Sequence, residues 1–541
     1  MVTLKRSDLP EFDEVVTDRI IGDDEAKKIV ICALRKDKSV FFVVAKEESL
    51  TQRDIIKYTS LASGKGWQIN SGRPIHADLS LIAQLNVANR KTDGQSNDNQ
   101  PEPSEVTAMF HYICKNAVEQ KASDIFIEHR PEAEGDNLIK MRINGLVETI
   151  QSIPSSMAGA LVAVSYNAIA DDSSKVADHS SFVRTAILNA AINIQTEDLT
   201  ARLRAVYMPA FKNGSDLILR VLPEESSGKP PSLEELGYTG KQSEIINRMA
   251  AKTSGVLIFS GIAGSGKSTT IRSLLDSLQR RYSGKRIAMI EDPIEYKNEG
   301  INQIPLADIR TKDRDTKQAW AEAVKGLVRA NVDIMALGEV RDDVTAGEMV
   351  DYILTGHQVL TTLHAPSAIG NVQRLERLGI SRDIIAGPDF VSGFVYQRLL
   401  PRLCQDCSTP INSESNIGNS LHNRLSKILD FSEAKLRLRH VEGCDHCRKG
   451  YTGRVVAAET MLLDNTMREF IKEGKDSKAF NHWRSHGLRG GILGHGTTAL
   501  EHAQHLMERG IVSPVDVEAA FGYIDMQNIE SDDVIDQAEL P

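Results

Sequence analysis

Gly261-Ile-Ala-Gly-Ser-Gly266-Lys267-Ser268 is the stretch of sequence that decides the fold. It has the form G-x-x-x-x-G-K-S, a β-rich run at 256–260 precedes it, and a helical pattern at 269–280 follows it. In this setting glycines let backbone N–H groups surround phosphate oxygens at the positive end of a helix. We predict a P-loop for ATP, in which Lys267 reaches the β- and γ-phosphates and Ser268 binds Mg²⁺. The other predicted nucleotide-binding residues are Gly261, Gly264, Ser265, Gly266 and Thr269.

The chain beyond about residue 232 alternates β-rich runs with helical patterns, which is typical of a parallel α/β sheet. The predicted strands of this part are 256–260, 286–290, 333–337 and 358–363. Shorter β-rich runs at 124–128, 139–143 and 217–222 predict a second, smaller module upstream. Polar stretches at 91–104 and 224–231 contain Pro, Gly and Ser, and they predict breaks between modules.

Acidic residues follow two of the predicted strands beyond the P-loop. Glu291 and Glu295 come after the strand at 286–290, and Glu339 comes after the strand at 333–337. The carboxyl ends of parallel strands face the nucleotide crevice. We therefore predict that these carboxylates orient or deprotonate the attacking water and support Mg²⁺, with the roles of Glu291 and Glu339 left open. The alternative for each cluster is a helix cap or a surface charge.

Two histidines bracket the predicted strand at 358–363. His357 precedes the strand and His364 follows it. A histidine at a strand end could contact the γ-phosphate and respond to its loss, and we predict this role for both. The alternative is a structural histidine whose hydrogen bonds are satisfied locally.

Four of the six cysteines form two C-x-x-C pairs separated by 36 residues. Four thiolates in two such pairs match tetrahedral Zn²⁺. All four metal positions would be filled by protein, so the predicted site is structural. The alternative is four free thiols, and His446 inside the second pair is a possible competing ligand. The predicted zinc ligands are Cys404, Cys407, Cys444 and Cys447.

Composition limits the remaining possibilities. The chain has 541 residues, 41% of them apolar, and a formal net charge of −10, so nucleic acid is a poor default partner. Asp8, Glu11 and Asp13 fall where the apolar part of a secretory signal would lie, and no apolar run is long enough for a transmembrane segment. These features predict a cytoplasmic protein whose membrane role, if it has one, runs through partners or surface contact.

The ordered motifs resemble those of the secretion ATPases of the type II secretion and type IV pilus assembly family. The resemblance covers about 105–525 and rests on the P-loop, Glu291-Asp-Pro-Ile-Glu295, Leu337-Gly-Glu-Val-Arg-Asp342, the His357–His364 segment and the tetracysteine motif. The chain departs from the usual family pattern at Ile262-Ala263 and at Asn331-Val332. Residues 1–90 resemble nothing that we can identify.

The resemblance implies a fold class and an assembly. It implies an α/β fold: a RecA-like P-loop ATPase domain, a smaller mixed α/β N-terminal domain, an extra N-terminal domain and a zinc-binding C-terminal insertion. The implied boundaries are 1–90 for a partner-docking domain, 91–104 for a linker, 105–225 for the small domain, 226–235 for a second linker and 236–541 for the ATPase domain, with the insertion at about 398–454. It also implies a homohexamer in which arginines of the small domain act on phosphate; by motif position these are Arg142, Arg204 and Arg220.

The resemblance leaves several functions open. The preferred one is extension of a type IVb pilus, with work passed to an inner-membrane platform protein and other assembly components. A type II secretion motor shares every motif. A retraction motor predicts no zinc motif, a nucleic-acid motor predicts a basic channel, and a non-catalytic scaffold predicts a damaged P-loop or missing carboxylates.

Overall fold

A computed structural model describes most of the chain. The sequence divides into two compact units, Met1–Glu224 and Glu225–Pro541. The predictions for Glu295, for residues 91–100 and for residues 224–228 lie outside the described residues. The described residues are 14–15, 17–21, 30–35, 40–45, 52–69, 75–76, 101–131, 137–175, 181–196, 199–222, 229–292, 294, 296–306, 316–411, 419–428, 435–486 and 493–524.

The first unit begins with a small sheet in the order β1-β2-β3-β4, and β5 also pairs with β3. Tyr58 and Ala62 of a helix pack with Val30, Cys32 and Val43 of the strands in one apolar cluster. The elements are β1 Glu14–Val15, α1 Thr17–Ile20, β2 Val30–Arg35, β3 Val40–Ala45, α2 Gln52–Gly64, β4 Gln68–Ile69 and β5 Ile75–His76.

A second sheet of this unit has the order β8-β7-β6-β11-β10-β9, and its neighbouring strands are antiparallel. Buried residues alternate along β6 and β7, as a sheet with one face on a core requires. The strands predicted at 124–128, 139–143 and 217–222 are confirmed. The elements are α3 Pro103–Glu119, β6 Asp124–His129, β7 Asn137–Ile143, β8 Leu146–Ile153, α4 Ser155–Val164, β9 Leu188–Gln195, β10 Thr200–Ala210 and β11 Gly214–Leu222.

The second unit is built on a sheet in the order β14-β13-β15-β16-β12-β17-β20. Its neighbours are parallel except for the antiparallel pair β17–β20. Every residue of β12, β13, β15 and β16 is buried, which fits strands covered on both faces. The parallel sheet confirms the predicted α/β class and its four predicted strands. The strands are β12 Gly255–Ser260, β13 Ile287–Glu291, β14 Asn302–Pro305, β15 Ile334–Leu337, β16 Gln358–Leu363, β17 Val391–Leu403, β18 Thr409–Pro410, β19 Arg437–Leu438 and β20 Tyr451–Met461.

Helices flank this sheet and follow its last strand. Three begin with capping boxes, at Ser232, Thr239 and Thr498, and the helix capped by Ser232 starts inside the segment predicted as the second linker. The helices are α5 Leu233–Leu236, α6 Gly240–Ala250, α7 Lys267–Arg281, α8 Thr316–Arg329, α9 Asp343–Leu354, α10 Gly370–Arg377, α11 Arg382–Ile385, α12 Asn419–Ile428, α13 Asn465–Lys472, α14 Asp476–Ser485, α15 Ala499–Glu508 and α16 Pro514–Phe521.

Helix α16 begins with Pro514 in its first turn. Ser513 occupies the cap position without a side-chain capping bond. Asp516 instead accepts a hydrogen bond from the Tyr451 hydroxyl at 2.8 Å. The carboxylate in the first turn of α16 is therefore engaged in a tertiary bond to β20.

Candidate active site and metal centre

The P-loop joins β12 to α7 and holds its lysine inward. Helix α7 begins at Lys267, and its cap residue Gly266 has a φ of 85°. The Lys267 ammonium donates to the backbone oxygens of Gly261 and Ile262, both at 3.0 Å. The loop thus places a buried positive charge at the helix N-terminus, where phosphate oxygens are favoured.

Gly261 is required by close packing under the loop. A Cβ atom at this position would lie 2.3 Å from the Gln397 backbone oxygen and 2.6 Å from the Ser265 hydroxyl oxygen. Gly261 also has a φ of 148°, a conformation that residues with side chains rarely adopt. A larger residue would push the loop away from β17.

Gln397 of β17 supports the loop from below. Its side-chain amide donates to the Ser265 backbone oxygen at 2.7 Å and accepts from the Tyr238 hydroxyl at 2.7 Å. Burial raises the pKa of the Tyr238 phenol, which therefore stays protonated and able to donate. Sequence analysis assigned Gln397 no role; its only sequence signal is its position seven residues before Cys404, the first cysteine of the tetracysteine motif.

Glu291 ends β13 and lies beside the next strand. It is only 5% exposed and accepts a hydrogen bond from the Gln303 side chain at 2.9 Å. The Gly338 N–H, at the end of β15, donates to the Ile290 oxygen at 2.9 Å, and a Cβ at Gly338 would lie 3.6 Å from the Glu291 Cα. The two predicted acidic segments therefore lie side by side at the carboxyl edge of the sheet.

Glu339 is held between two basic side chains. One carboxylate oxygen lies 2.8 Å from the Arg341 guanidinium, and the other lies 3.3 Å from the His364 ring nitrogen Nε2. Asp342, in the same motif, caps α9 by accepting from the Thr345 N–H at 2.9 Å. The alternative of a helix cap therefore holds for Asp342, whereas Glu339 contacts Arg341 and His364. Sequence analysis gave Arg341 no role.

His364 connects the acidic segment with the P-loop. Its pKa is lowered, first by burial and then by the positive charge of Lys267, although Glu339 and a hydrogen bond with the Gly261 backbone act in the opposite direction. The imidazole is therefore neutral at neutral pH. The structure brings together His364, Glu339, Lys267 and the first glycine of the loop.

His357 lies at the opposite end of the same strand. It precedes β16, stacks on the Tyr352 ring with 4.5 Å between centroids and lies 2.9 Å from the Thr355 hydroxyl. A strand of six residues separates its ends by about 20 Å. The structure therefore does not bring His357 to the phosphate edge of this chain, and its contacts are those of a structural histidine.

The three predicted arginines form one row across the small sheet of the first unit. Arg142 lies opposite Asp124, Asp124 opposite Arg220, and Arg220 opposite Arg204, on four adjacent strands. Asp124 receives ion pairs from Arg142 at 3.3 Å and from Arg220 at 3.4 Å. Both arginine side chains remain about half exposed, at 40% and 54%. Three cations share one carboxylate in this row, which leaves a net positive strip suited to an anion.

The four predicted zinc ligands meet in a segment inserted between β17 and β20. Cys404 and Cys444 sulfurs lie 3.8 Å apart, while Cys407–Cys447 and Cys444–Cys447 are 3.6 Å apart. Four sulfurs at Zn–S distances of about 2.3 Å form a tetrahedron with edges of about 3.8 Å. The thiol cluster therefore has the chemistry and the spacing of a zinc site. His446 instead lies 3.1 Å from Asp406, so the structure gives it a carboxylate partner.

Among the residues that the structure describes, no helix combines the length and the apolar character that a bilayer span requires.

Comparison with known proteins places these motifs in a family. The Type II/IV secretion system protein family matches residues 99–505. Type II secretion system protein E of Dickeya dadantii (strain 3937) is 30% identical over 68% of this chain and 68% of its own length. The type IV pilus assembly ATPase PilB of Thermus thermophilus is 26% identical over 74% of this chain and 42% of its own length.

A solved structure supports the fold. The X-ray structure of the Legionella pneumophila ATPase DotB covers 79% of this chain and 97% of its own, with a TM-score of 0.51 and 19% identity. The family match spans most of the chain and includes the P-loop, the acidic strand ends and the histidine-bounded strand. The chain belongs to the Type II/IV secretion system protein family, the family of type II secretion and type IV pilus assembly ATPases.

Proposed function

We propose that this chain is a cytoplasmic, homohexameric ATPase motor that drives extension of a type IV pilus. The observation that carries the proposal is the group formed by Lys267, Glu339 and His364 at the carboxyl edge of the parallel sheet. A buried cation, a carboxylate and a neutral imidazole converge there on one phosphate-binding loop. This arrangement supports phosphoryl transfer to water.

The residues of the loop account for nucleotide binding. Lys267 would exchange its two carbonyl partners for β- and γ-phosphate oxygens, which are stronger acceptors. The Ser268 hydroxyl and the Glu339 carboxylate are hard oxygen ligands of the kind that Mg²⁺ prefers, so they would hold the ion. When bound, Mg²⁺ supplies charge neutralisation at the phosphates.

The carboxylates account for hydrolysis. Glu291 or Glu339 orients a water molecule toward the γ-phosphorus and accepts its proton, while the bond from that phosphorus to the bridging oxygen breaks and ADP leaves. The burial of Glu291 and the two basic neighbours of Glu339 make their environments different. His364 would detect loss of the γ-phosphate through its position between the loop and Glu339.

The arginine row of the first unit supports a role in charge stabilisation. Arg204 and Arg220 are directly opposed on neighbouring strands, which is unfavourable for two like charges. A bound anion would relieve that repulsion. We propose that Arg142, Arg204 and Arg220 act on the γ-phosphoryl group of a nucleotide in this or a neighbouring subunit.

The domain organisation belongs to the same proposal. Residues 1–90 would dock to another component of the apparatus, and the segments at 91–104 and 226–235 would connect the modules at 105–225 and 236–541. The cysteine insertion would hold Zn²⁺ and present a contact surface to an inner-membrane platform protein.

A type II secretion motor is the second candidate function, favoured by the 30% identical relative named type II secretion system protein E. A nucleic-acid motor has less support, because the formal net charge of the chain is −10. The complete P-loop and the two acidic strand ends speak against a non-catalytic scaffold.

One experiment separates these functions. The purified chain is assayed for phosphate release from ATP with and without DNA, and its size is measured by light scattering. In the host bacterium, the Lys267→Ala allele replaces the native one, and surface pili and secreted proteins are both quantified. The proposal is supported by a rate of ATP hydrolysis that does not change when DNA is added, a hexameric mass, and loss of pili with normal secretion. Normal pili with lost secretion would show the secretion motor, and DNA-dependent turnover would show the nucleic-acid motor.

A further inference from the structure

A second group of metal-ligating side chains lies in the second unit, outside the P-loop and the cysteine cluster. Asp464, His482 and His486 each offer one ligand atom, and these atoms all lie within 4.8 Å of one another. His482 and His486 stand four residues apart, on one face of the helical segment that ends α14. Asp464 comes from a different element, because it caps α13. Two separate helices thus contribute to one group of ligands.

The hydrogen bond of His486 leaves one ring nitrogen with a lone pair that a metal can use. His486 Nδ1 lies 2.8 Å from the His482 backbone oxygen, a bond in which the ring must donate. The proton is therefore on Nδ1, and the lone pair of Nε2 remains for a ligand. A ring held by an N–H bond to a backbone carbonyl is the usual arrangement of a metal-binding histidine.

His482 and Asp464 supply the other two ligand atoms. His482 Nε2 lies 2.8 Å from an Asp464 carboxylate oxygen, and the side chains are 27% and 43% exposed, so the pair is open to ions in solution. Ligand atoms about 2.1 Å from a tetrahedral ion are separated by about 3.4 Å. The pair therefore needs to open by only about 0.6 Å to admit an ion, and the proton shared by the two groups passes to solvent.

The position of the group at a helix end also favours a cation. His486 is the C-cap residue of α14, where the helix carries partial negative charge. The His486 ring is bordered by the His482 ring at 4.8 Å and the His495 ring at 5.8 Å between centroids. Asp464 adds a formal negative charge.

We propose that Asp464, His482 and His486 form a binding site for a divalent first-row transition ion, such as Zn²⁺ or Co²⁺. Two imidazoles and one carboxylate suit these ions and leave further coordination positions for water. The bound ion links the C-terminal end of α14 to the N-cap residue of α13. It thereby stabilises the packing of these two helices. This site is independent of the cysteine cluster, which provides only sulfur ligands.

The test uses the full chain with one equivalent of Zn²⁺ already bound and the excess removed, so that the cysteines are saturated. Co²⁺ is then titrated, and bound metal and visible absorption are measured. We expect one further equivalent, with d–d bands and without the thiolate-to-cobalt charge transfer of a sulfur site.

Matched variants decide whether the three named residues hold the ion. His482→Asn, His486→Asn and Asp464→Asn should each weaken Co²⁺ binding by about tenfold or more. Asn is as good a helix cap as Asp, so Asp464→Asn removes the ligand charge while keeping the start of α13. His422→Asn, on α12, should bind as the native chain does. Absence of a second equivalent, or unchanged binding in His486→Asn with normal circular dichroism, would overturn the proposal.

Discussion

His364 Nε2 lies 3.3 Å from Glu339 Oε1, and this distance joins the end of one strand to the end of its neighbour. The lowered pKa of His364 keeps the ring neutral, so the contact does not consume the carboxylate charge at neutral pH. Glu339 therefore remains able to act on metal or water when nucleotide is bound.

Glu339→Gln should lower kcat for ATP hydrolysis by about 100-fold or more, because the amide neither takes a proton nor offers a full negative charge. ATP binding should persist, since Lys267 and the loop amides are unchanged. Steady-state phosphate release and fluorescent nucleotide binding measure the two effects. The same assays on Glu291→Gln identify the base as the residue whose loss reduces kcat more. Native turnover in both variants would refute the assignment of these carboxylates.

Lys267→Ala should weaken nucleotide binding and reduce kcat/KM by at least about 100-fold, because the buried ammonium is the charge nearest the loop. The matched control is Lys285→Ala, which removes a lysine that lies over the Tyr282 ring, 5.1 Å from its centroid. The control should keep native kinetics. Equal loss in both variants would mean that the assay reports stability rather than phosphate binding.

Arg220→Gln should reduce kcat without weakening the small sheet. The substitution removes a repulsion with the opposed Arg204 that is on the order of 0.2–1 kcal/mol, although it also removes an exposed ion pair with Asp124 of similar size. We therefore expect the free energy of unfolding to change by less than about 1 kcal/mol while hydrolysis falls. Lys212→Gln, in the turn between β10 and β11, is the charge-matched control. Unchanged hydrolysis in Arg220→Gln would exclude its role at phosphate.

If the cysteine cluster holds Zn²⁺ as proposed, Cys447→Ser should abolish that binding, since one thiolate of four is lost. The zinc content should fall by one equivalent per chain. The melting temperature should fall by roughly 2–4 °C for each kcal/mol of lost stability. The matched control is Cys114→Ser, a buried cysteine of the other unit, which should keep the metal. Full zinc content in Cys447→Ser would contradict the ligand assignment.

His502 predicts acid sensitivity of the second unit. It is fully buried on α15, accepts the Ala458 N–H at 3.1 Å, and has a pKa lowered to about 4, chiefly by burial. In the unfolded chain the pKa of His502 is near 6.5, so the unfolded state binds more protons than the folded state below that pH. The stabilisation that is present above pH 6.5 is therefore lost as the pH falls toward 4. At pH 5 this costs about 2 kcal/mol relative to pH 7. Urea unfolding midpoints should show that the His502→Asn variant is less stable than the native chain at pH 7. The stability of the variant should also vary less with pH, and a pH dependence equal to that of the native chain would disprove the assignment.

Local patterns were sufficient to predict the elements around the nucleotide. The bounds of β16 agree with the predicted strand, and β12 and α7 differ from prediction by no more than two residues. Each has an uninterrupted apolar or helical pattern next to a diagnostic glycine. The family motifs likewise predict Glu339 and His364 as site residues, and the structure places them in contact.

Features that depend on distant pairing were not predictable from the same patterns. The arginine row requires the register of four strands, and a shift of one residue would turn a side chain to the other face. His357 was grouped with His364 because they are close in sequence, although a parallel strand places them at opposite edges of the sheet. The metal-ligating group at Asp464 depends on two helices packing together, which sequence spacing alone does not specify.

Strand β17 runs without interruption from Val391 to Leu403. Gln397, beneath the P-loop, and Cys404, the first residue of the cysteine cluster, are seven residues apart, which is about 24 Å of extended chain. β20 is paired with β17 along most of this length, and the register of the pairing shifts once, between Arg402 and Leu403. Movement of the P-loop floor at Gln397 would therefore be transmitted along paired strands toward the cysteine cluster.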